Sequence, residues 1–168
     1  CAPMVTISKE LQMELQRQAY SIVDAIGVIG GTNVQFAHDP NTGRICVIEI
    51  NPRTSRSSAL ASKATGFPIA LISAMLAAGL NLDEIPCGKY GTLDKYVPDG
   101  DYLVIKYARW AFEKFKGAED KLGTQMKAVG EVMSIGKSYK EALQKAIRSL
   151  EIGRYGLGNA KDFASRTK

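Results

Sequence analysis

Apolar residues at helical spacing predict that an α-helix covers residues 8–26. Ser8 precedes the pattern and is suited to cap the helix, and Gly27 follows it as a stop. The residues on the apolar stripe of this helix are Leu11, Leu15, Ile22, Val23 and Ile26. We therefore expect one amphipathic helix near the start of the chain.

Alternation replaces helical spacing in the stretch TNVQFAHDPNTGRICVIEIN, which predicts a β-hairpin. One strand covers about residues 32–38 and the other about residues 44–51, and residues 39–43 have the composition of a turn. The middle of the second strand places apolar side chains on both faces. We therefore expect other elements to cover this strand on both sides.

Helical spacing returns at Ser57, stops at Gly66 and resumes after Pro68 as far as Gly79. Pro68 suits a helix start because its ring fixes φ near the helical value. Residues 80–100 are rich in Pro and Gly, and we expect them to form a surface loop.

The later part of the sequence combines strands with a final helix. DYLVIKYARWAFEKF predicts one or two strands, and MKAVGEVMSIG predicts another. In SYKEALQKAIRSLEIG, Ser138 and Glu141 form a capping box, and Gly153 is the expected stop. The polar tail that follows is expected to leave the domain.

The composition is that of one globular domain. The 168 residues are 45% apolar and 23% charged, and no apolar run approaches the roughly 18 residues that span a bilayer. Cys1, Cys46 and Cys87 are odd in number and form no CxxC pair, which disfavours a disulfide framework or a zinc site and suits a reducing cytoplasm. The opening CAPMVTISKE has neither an initiator Met nor a signal-peptide pattern, so we expect the chain to begin partway through a longer protein.

The formal net charge of +5 raises the question of a nucleic-acid partner. However, the 22 Lys and Arg residues are scattered among 17 Asp and Glu residues and form no basic stripe with aromatic neighbours. We therefore expect neither a nucleic-acid partner nor a membrane partner. A mild positive charge is equally compatible with an anionic small substrate, so charge alone decides little.

Polar side chains end the second strand of the predicted hairpin, in the stretch VIEINPRTSR. Alternation places Glu49 and Asn51 on one face of that strand. If His38 pairs with Arg44, then Gln35 lies diagonal to Glu49 on the same face. A slip of one residue would move Gln35 to the other face.

In the favoured register, one carboxylate and two carboxamide oxygens converge at one end of the hairpin. Such hard oxygen ligands suit Mg²⁺ or Mn²⁺, with phosphate and water as the remaining ligands. Arg53 and Arg56 follow the strand, and guanidinium groups bind phosphate or small oxyanions in a bidentate manner. The same residues are also compatible with a purely structural role at the polar end of the strand, in which Pro52 ends the strand pairing and Ser57 caps the next helix. Spacing alone leaves both interpretations open.

Three motifs carry a family resemblance: NVQF at 33–36, EINPR at 49–53 and SSALASKATG at 57–66. Together they closely resemble the C-terminal part of the first ATP-grasp domain of carbamoyl-phosphate synthetase large subunits. The resemblance extends through FEKF and TQMKAVGEVMSIG to the last helix, which is nearly the whole chain. The serine-bearing run resembles the first half of such subunits, which phosphorylates bicarbonate to carboxyphosphate. The second half typically carries a Thr-Val-Pro-Phe run there and phosphorylates carbamate.

The resemblance implies an α+β fold, namely the C-terminal part of an ATP-grasp fold with a mainly antiparallel sheet flanked by helices. Residues 1–154 would be a partial ATP-grasp domain, and residues 155–168 a tail or the start of the following oligomerisation region. The implied cofactors are ATP and two Mg²⁺ or Mn²⁺ ions, and the implied substrate is bicarbonate. In the full, oligomeric enzyme a glutaminase small subunit would supply ammonia for arginine and pyrimidine biosynthesis.

By position, the resemblance assigns roles to five residues. Gln35, Glu49 and Asn51 correspond to ligands that hold the two ions against the ATP phosphates. Arg53 corresponds to a contact with the ATP, at the transferring phosphoryl group, or with bicarbonate. Arg56 would assist with the same anions or line the path by which carbamate leaves.

Two further residues are less sharply assigned. Glu131 either faces the same interior or is a solvated strand residue. His38, the only histidine, lies beside the turn and is expected to be structural or exposed. We find no Cys–His or Ser–His–Asp arrangement in the sequence, and the proposed chemistry requires none.

This sequence also departs from the family pattern. The family's upstream segments, with the flexible lid and the adenine pocket, are not recognisable, and CGKYGTLDKYVPDG and KYARW differ from the usual family sequence. We therefore expect the chain alone to have little or no synthetase activity. One alternative is another ATP-grasp ligase, such as a biotin-carboxylase-like protein, although the serine-rich run disfavours it. Another is a non-catalytic interaction module, which indifference to Mg²⁺ would favour.

Overall fold

Helices and two small antiparallel sheets make up the described part of the chain. The computed structural model describes residues 1–125 and 127–158. Within these residues it contains four α-helices and two two-stranded sheets, which confirms the predicted α+β class. In chain order the elements are α1 (Lys9–Ile26), β1 (Asn33–His38), β2 (Ile45–Asn51), α2 (Arg56–Thr65), α3 (Ile69–Ala77), β3 (Leu103–Trp110), β4 (Ala128–Gly136) and α4 (Tyr139–Ser149).

The chain divides into two compact units. The hairpin unit comprises residues 6–99 and contains α1, the β1–β2 hairpin, α2 and α3. The α4 unit comprises residues 1–5 together with the described residues from 100 onward, and it contains β3, β4 and α4. The predicted ligands and arginines therefore all belong to the hairpin unit.

Helix α1 begins and ends where the sequence predicted. The Ser8 Oγ accepts a hydrogen bond from the Leu11 N–H at 3.3 Å, and Gly27 ends the helix in the left-handed conformation with φ +71°. No residue of α1 is fully buried. The apolar stripe is half-buried as far as Val23, but Ile26 is exposed.

Helix α3 and the segment after it form the core of the hairpin unit. Ile72 of α3 is buried together with Ile85 and Leu93. The expectation that residues 80–100 form a surface loop is therefore wrong for part of this segment. Its Pro and Gly residues interrupt regular structure without bringing the apolar side chains to the surface. Three short 3₁₀ helices occur there, at Leu82–Glu84, Gly88–Tyr90 and Leu93–Lys95.

Strands β1 and β2 form the predicted hairpin, but in a different register. His38 pairs with Ile45 and not with Arg44, and an irregularity after Gln35 shifts the pairing by one more residue. Gln35 therefore lies directly opposite Glu49 instead of diagonal to it. The sequence did not reveal this β-bulge, because the unpaired residue, Ile48, is an ordinary strand residue and gives no local signal of a bulge.

The expected cover on both faces of β2 is not found. Among the described residues β2 pairs only with β1, and Val47 and Ile48 at its centre are 48% and 61% exposed. That expectation is wrong for this structure, because alternation identifies apolar positions but does not show what packs against them.

In the α4 unit, β3 and β4 pair in an antiparallel manner and α4 packs against both strands. Ile105, Ala142 and Ala146 form the buried centre of this packing. Gly136 permits the close approach of strand and helix, since a Cβ there would lie 2.9 Å from the Ala142 nitrogen. DYLVIKYARWAFEKF contributes one strand, followed by a short 3₁₀ helix at Phe112–Lys114.

The capping of α4 agrees only in part with the prediction. The Ser138 Oγ accepts from the Glu141 N–H at 3.3 Å, but the Glu141 carboxylate accepts from the Lys137 N–H at 2.8 Å and does not complete a capping box. The helix ends at Ser149, before the expected stop at Gly153. Part of the predicted tail, residues 159–168, lies outside the described residues, as does Met126.

All three cysteines, Cys1, Cys46 and Cys87, are free. Of the helices in residues 1–125 and 127–158, none alone has the length and apolarity to cross a membrane. Within the same described ranges, α2 and α3 taken together, bent by 112°, reach that length and composition.

Candidate functional site

The three predicted ligands converge at the end of the hairpin that is remote from its turn. The Gln35 Nε2 donates a hydrogen bond to the Glu49 Oε1 at 2.7 Å, and the Asn51 Nδ2 donates to the same oxygen at 2.9 Å. Glu49 and Asn51 are two residues apart on β2 and share a face, and Gln35 lies across the ladder. One carboxylate oxygen is thus the centre of an open cluster.

The chemistry of this cluster fits a hard divalent cation. Each side chain carries a carboxylate or carboxamide oxygen, the ligand type that Mg²⁺ and Mn²⁺ prefer. The carboxamides now donate N–H to Glu49, and a half-turn of each amide plane presents its oxygen instead. No group of three or more His, Cys, Asp or Glu residues that could hold a metal occurs in residues 1–125 and 127–158. A divalent cation held by a single carboxylate keeps a net positive charge and therefore favours anionic ligands such as phosphate.

Two exposed arginines follow the cluster in the sequence. The Arg53 N–H donates to the Asn51 carbonyl at 2.8 Å, which turns the chain directly after β2. Arg56 is the first residue of α2. Neither guanidinium forms an ion pair with an acidic side chain of the described residues. Both are therefore available to an external anion.

A small recess lined by four Ser or Thr residues and two Ala residues lies at the first turns of α2. Its volume is about 240 Å³, and the Ser55 N–H donates to the Ser58 Oγ at 3.0 Å at its edge. The lining residues are Thr54, Ser55, Ser58, Ala59, Ser62 and Ala70. Part of the serine run of the sequence therefore lines this recess, close along the chain to both arginines.

The other two residues considered in the sequence lie in different surroundings. Glu131 belongs to the α4 unit, where its carboxylate lies 2.7 Å from the Lys106 Nζ and its side chain is 20% exposed. That ion pair makes it a partnered residue, and a role in the site stays a prediction. His38 is half-buried at the end of β1.

Sequence reasoning missed one group of residues that support the cluster. The Gly31 N–H donates to the Ser73 Oγ at 2.8 Å, and the Thr32 Oγ1 donates to the Asn51 carbonyl at 3.1 Å. The only available signal was the glycine pair before β1, since adjacent glycines often mark a close backbone approach.

Two family models match the chain. Residues 1–85 match the model of the carbamoyl-phosphate synthase L chain, ATP binding domain. Residues 131–168 match the model of the carbamoyl-phosphate synthetase large chain, oligomerisation domain. The first match covers half of the chain and includes the whole ligand cluster and both arginines. The chain therefore belongs to the carbamoyl-phosphate synthase large-chain family.

Curated relatives agree with this family. The chain is 57% identical over 158 residues to the carbamoyl phosphate synthase large chain, N-terminal section, of Methanopyrus kandleri, which covers 94% of this chain and 28% of the relative. It is 57% identical over 155 residues to the large chain of Thermotoga neapolitana, covering 90% of this chain and 14% of the relative. The chain is also 57% identical over 159 residues to the large chain of Archaeoglobus fulgidus. That alignment covers 94% of this chain and 15% of the relative. The chain thus spans less than a third of these relatives.

These matches confirm the resemblance that the motifs carried. The match to an N-terminal section agrees with the expected first half of the large chain. Membership of this family also disfavours the alternative of a biotin-carboxylase-like ligase.

Proposed function

We propose that this chain supplies the metal-binding and phosphate-binding side of an ATP-grasp site in a carbamoyl-phosphate synthase large chain. The reaction served is the ATP-dependent phosphorylation of bicarbonate to carboxyphosphate. The convergence of Gln35 and Asn51 on Glu49 carries this proposal, in a chain of this family. Mg²⁺ or Mn²⁺ ions, when bound, neutralise charge on the ATP phosphates.

The side chains then have distinct tasks. Glu49 would provide the negative charge of the metal site, and Gln35 and Asn51 would hold the cation through their amide oxygens. Arg53 orients the γ-phosphoryl group or bicarbonate, and Arg56 supports the same anions or lines the exit of carbamate. A bicarbonate oxygen bonds to the γ-phosphorus as the bond to the β,γ-bridging oxygen breaks, which yields carboxyphosphate and ADP. No protein side chain has to act as a nucleophile, so positioning and charge are what the site provides.

The proposal extends to the protein as a whole. We assign residues 1–154 to the C-terminal part of an ATP-grasp domain and residues 155–168 to the start of the next region, although the match to the oligomerisation-domain model already begins at residue 131. A glutaminase partner supplies ammonia, and the oligomeric enzyme serves arginine and pyrimidine biosynthesis in the cytoplasm. The match of residues 131–168 to an oligomerisation-domain model supports the oligomeric part of this proposal.

Replacement of the central carboxylate tests the metal site. We expect Glu49→Gln to weaken the binding of Mn²⁺ in the presence of ATP by at least about tenfold, because the variant removes the single negative charge while keeping the side-chain shape. Free Mn²⁺ can be measured by electron paramagnetic resonance. Glu119→Gln removes a charge from an exposed residue of the α4 unit and is the matched control.

The outcomes separate the two functional classes. Weaker binding in Glu49→Gln, with the control unchanged, supports the ligase site. Equal Mn²⁺ affinity in both variants contradicts the assignment of Glu49. Complete indifference of the native chain to Mn²⁺ and Mg²⁺ favours a non-catalytic interaction module.

A further inference from the structure

A short series of hydrogen bonds connects α3 with the candidate site. The Ser73 Oγ accepts from the Gly31 N–H at 2.8 Å and donates to the Ile69 carbonyl at 2.7 Å. The next residue, Thr32, donates its hydroxyl to the Asn51 carbonyl at 3.1 Å. We name Ser73, Gly31 and Thr32 the Ser73 clamp. It joins a helix to the backbone of a predicted ligand.

The clamp depends on a close backbone approach. A Cβ on Gly31 would lie 2.9 Å from the Ser73 Oγ, 3.0 Å from the Ile69 Cγ2 and 3.1 Å from the Thr54 Cγ2. The space therefore suits glycine alone without a shift of its neighbours. The bond from the Gly31 N–H is partly buried, so loss of its acceptor would leave a donor poorly satisfied.

The clamp acts on a residue whose own geometry is tightly held. The Asn51 carbonyl accepts from Thr32 on one side and from the Arg53 N–H, at 2.8 Å, on the other. The Asn51 side chain donates to Glu49. The orientation of this one peptide group thus determines where the Asn51 carboxamide and the Arg53 side chain leave the backbone.

We propose that Ser73 is a positioning residue of the site. Through Gly31 and Thr32 it fixes the peptide group of Asn51, and it thereby aims the Asn51 carboxamide and the Arg53 guanidinium. The inference rests on the proposed function, because these directions matter chemically only if the two residues meet a metal ion and phosphate. Misplacement of such groups by about 1 Å is sufficient to weaken catalysis strongly.

Two substitutions interrupt the clamp at different points. Ser73→Ala removes the acceptor of the Gly31 N–H, and Thr32→Val removes the hydroxyl donor to Asn51 while keeping the side-chain shape. Ser21→Ala is the matched control, because the Ser21 Oγ donates to the Arg17 carbonyl four residues earlier, just as Ser73 donates to Ile69. If the loss of Mn²⁺ affinity in Ser73→Ala reflected only the missing hydrogen bond within the helix, Ser21→Ala would show a similar loss.

Two readouts on the folded chain distinguish positioning from general stability. Titration with Mn²⁺ in the presence of ATP should show a roughly two- to tenfold weaker affinity in Ser73→Ala and Thr32→Val. In ¹⁵N spectra the side-chain amide of Asn51 and the backbone amide of Arg53 should shift in both variants. Ser21→Ala should leave the affinity and these signals unchanged. Circular dichroism at the same temperature verifies that each variant is folded.

The proposal is overturned if a folded Ser73→Ala variant keeps its Mn²⁺ affinity and leaves the Asn51 and Arg53 signals in place. If Ser73→Ala does not fold, Thr32→Val decides by the same two readouts. If the native chain binds no Mn²⁺, the proposed function fails, and the Asn51 and Arg53 signals alone decide whether the clamp positions them. Failure of the function and failure of the clamp are therefore separate results.

Discussion

At the scale of single residues, the Glu49 carboxylate concentrates the negative charge of the candidate site. Gln35 and Asn51 both direct an amide toward one of its oxygens, and Arg53 and Arg56 follow without an acidic partner among the described residues. The five side chains together carry one negative and two positive charges at neutral pH. Such a balance suits a cation that arrives with a polyanion.

Glu14 in α1 provides a prediction on acid stability. Hydrogen bonds from Arg17, at 2.7 and 2.9 Å, and from Gln18, at 2.7 Å, lower the pKa of its carboxyl from 4.5 to about 2. Because the pKa is lower in the folded state, ionised Glu14 stabilises the fold above its unfolded pKa, and this contribution is lost as the pH falls toward 2.

We therefore expect Glu14→Gln to lower the thermal unfolding midpoint at pH 7 and to lower it less at about pH 3. Thermal melts followed by circular dichroism at both pH values provide the measurement. An effect at about pH 3 as large as the effect at pH 7 would be incompatible with the lowered pKa.

The ligand cluster could be predicted from residue types, although the register could not. The turn places His38 one residue away from the expected partner, and the bulge adds a second residue. A shift of one residue moves a side chain to the other face of the sheet, and a shift of two restores it. Gln35 therefore still lies on the same face as Glu49. The Ser73 clamp could not be predicted, because it joins residues 42 positions apart.

At the scale of elements, the packing of α4 on β3 and β4 predicts which strand residues contribute most to the free energy of unfolding. Ile105 is 4% exposed and lies against Ala142 and Ala146, whereas Ile135 of β4 is 42% exposed. Ile105→Ala should lower the free energy of unfolding by about 2–5 kcal/mol, because it removes buried methyl groups and leaves a cavity. Ile135→Ala should cost about 1 kcal/mol or less.

Urea denaturation of both variants measures this difference. Similar costs for the two substitutions would mean that Ile105 is not part of the core. Unchanged stability in Ile105→Ala would mean the same.

Local signals predicted most elements well. Caps and stops such as Ser8 and Gly27 lie next to the observed helix ends, because their effects act within one turn. Burial was predicted less well. Ile85 and Leu93 lie in a segment rich in turn residues and are nevertheless buried, since contacts with α3 decide their environment.

At the scale of the whole molecule, activity is expected to require more than this chain. The chain spans between 14% and 28% of the length of the relatives described. We expect the 168-residue chain alone to show no bicarbonate-dependent ATP hydrolysis, because the proposed site residues serve metal, phosphate and bicarbonate, and none of them is assigned to the adenine of ATP.

ADP formation with and without bicarbonate measures this directly. Hydrolysis that rises with bicarbonate in the isolated chain would overturn the expectation. The Glu49→Gln variant should then abolish the activity if the chain contains the site.

The central claim is that Gln35, Glu49 and Asn51 form a metal site, and paramagnetic broadening by Mn²⁺ tests it most directly. In ¹⁵N spectra of the native chain with ATP, small additions of Mn²⁺ should first broaden the side-chain amides of Gln35 and Asn51 and the backbone amides of 49–51. Uniform broadening, or broadening centred on another part of the chain, would contradict the claim.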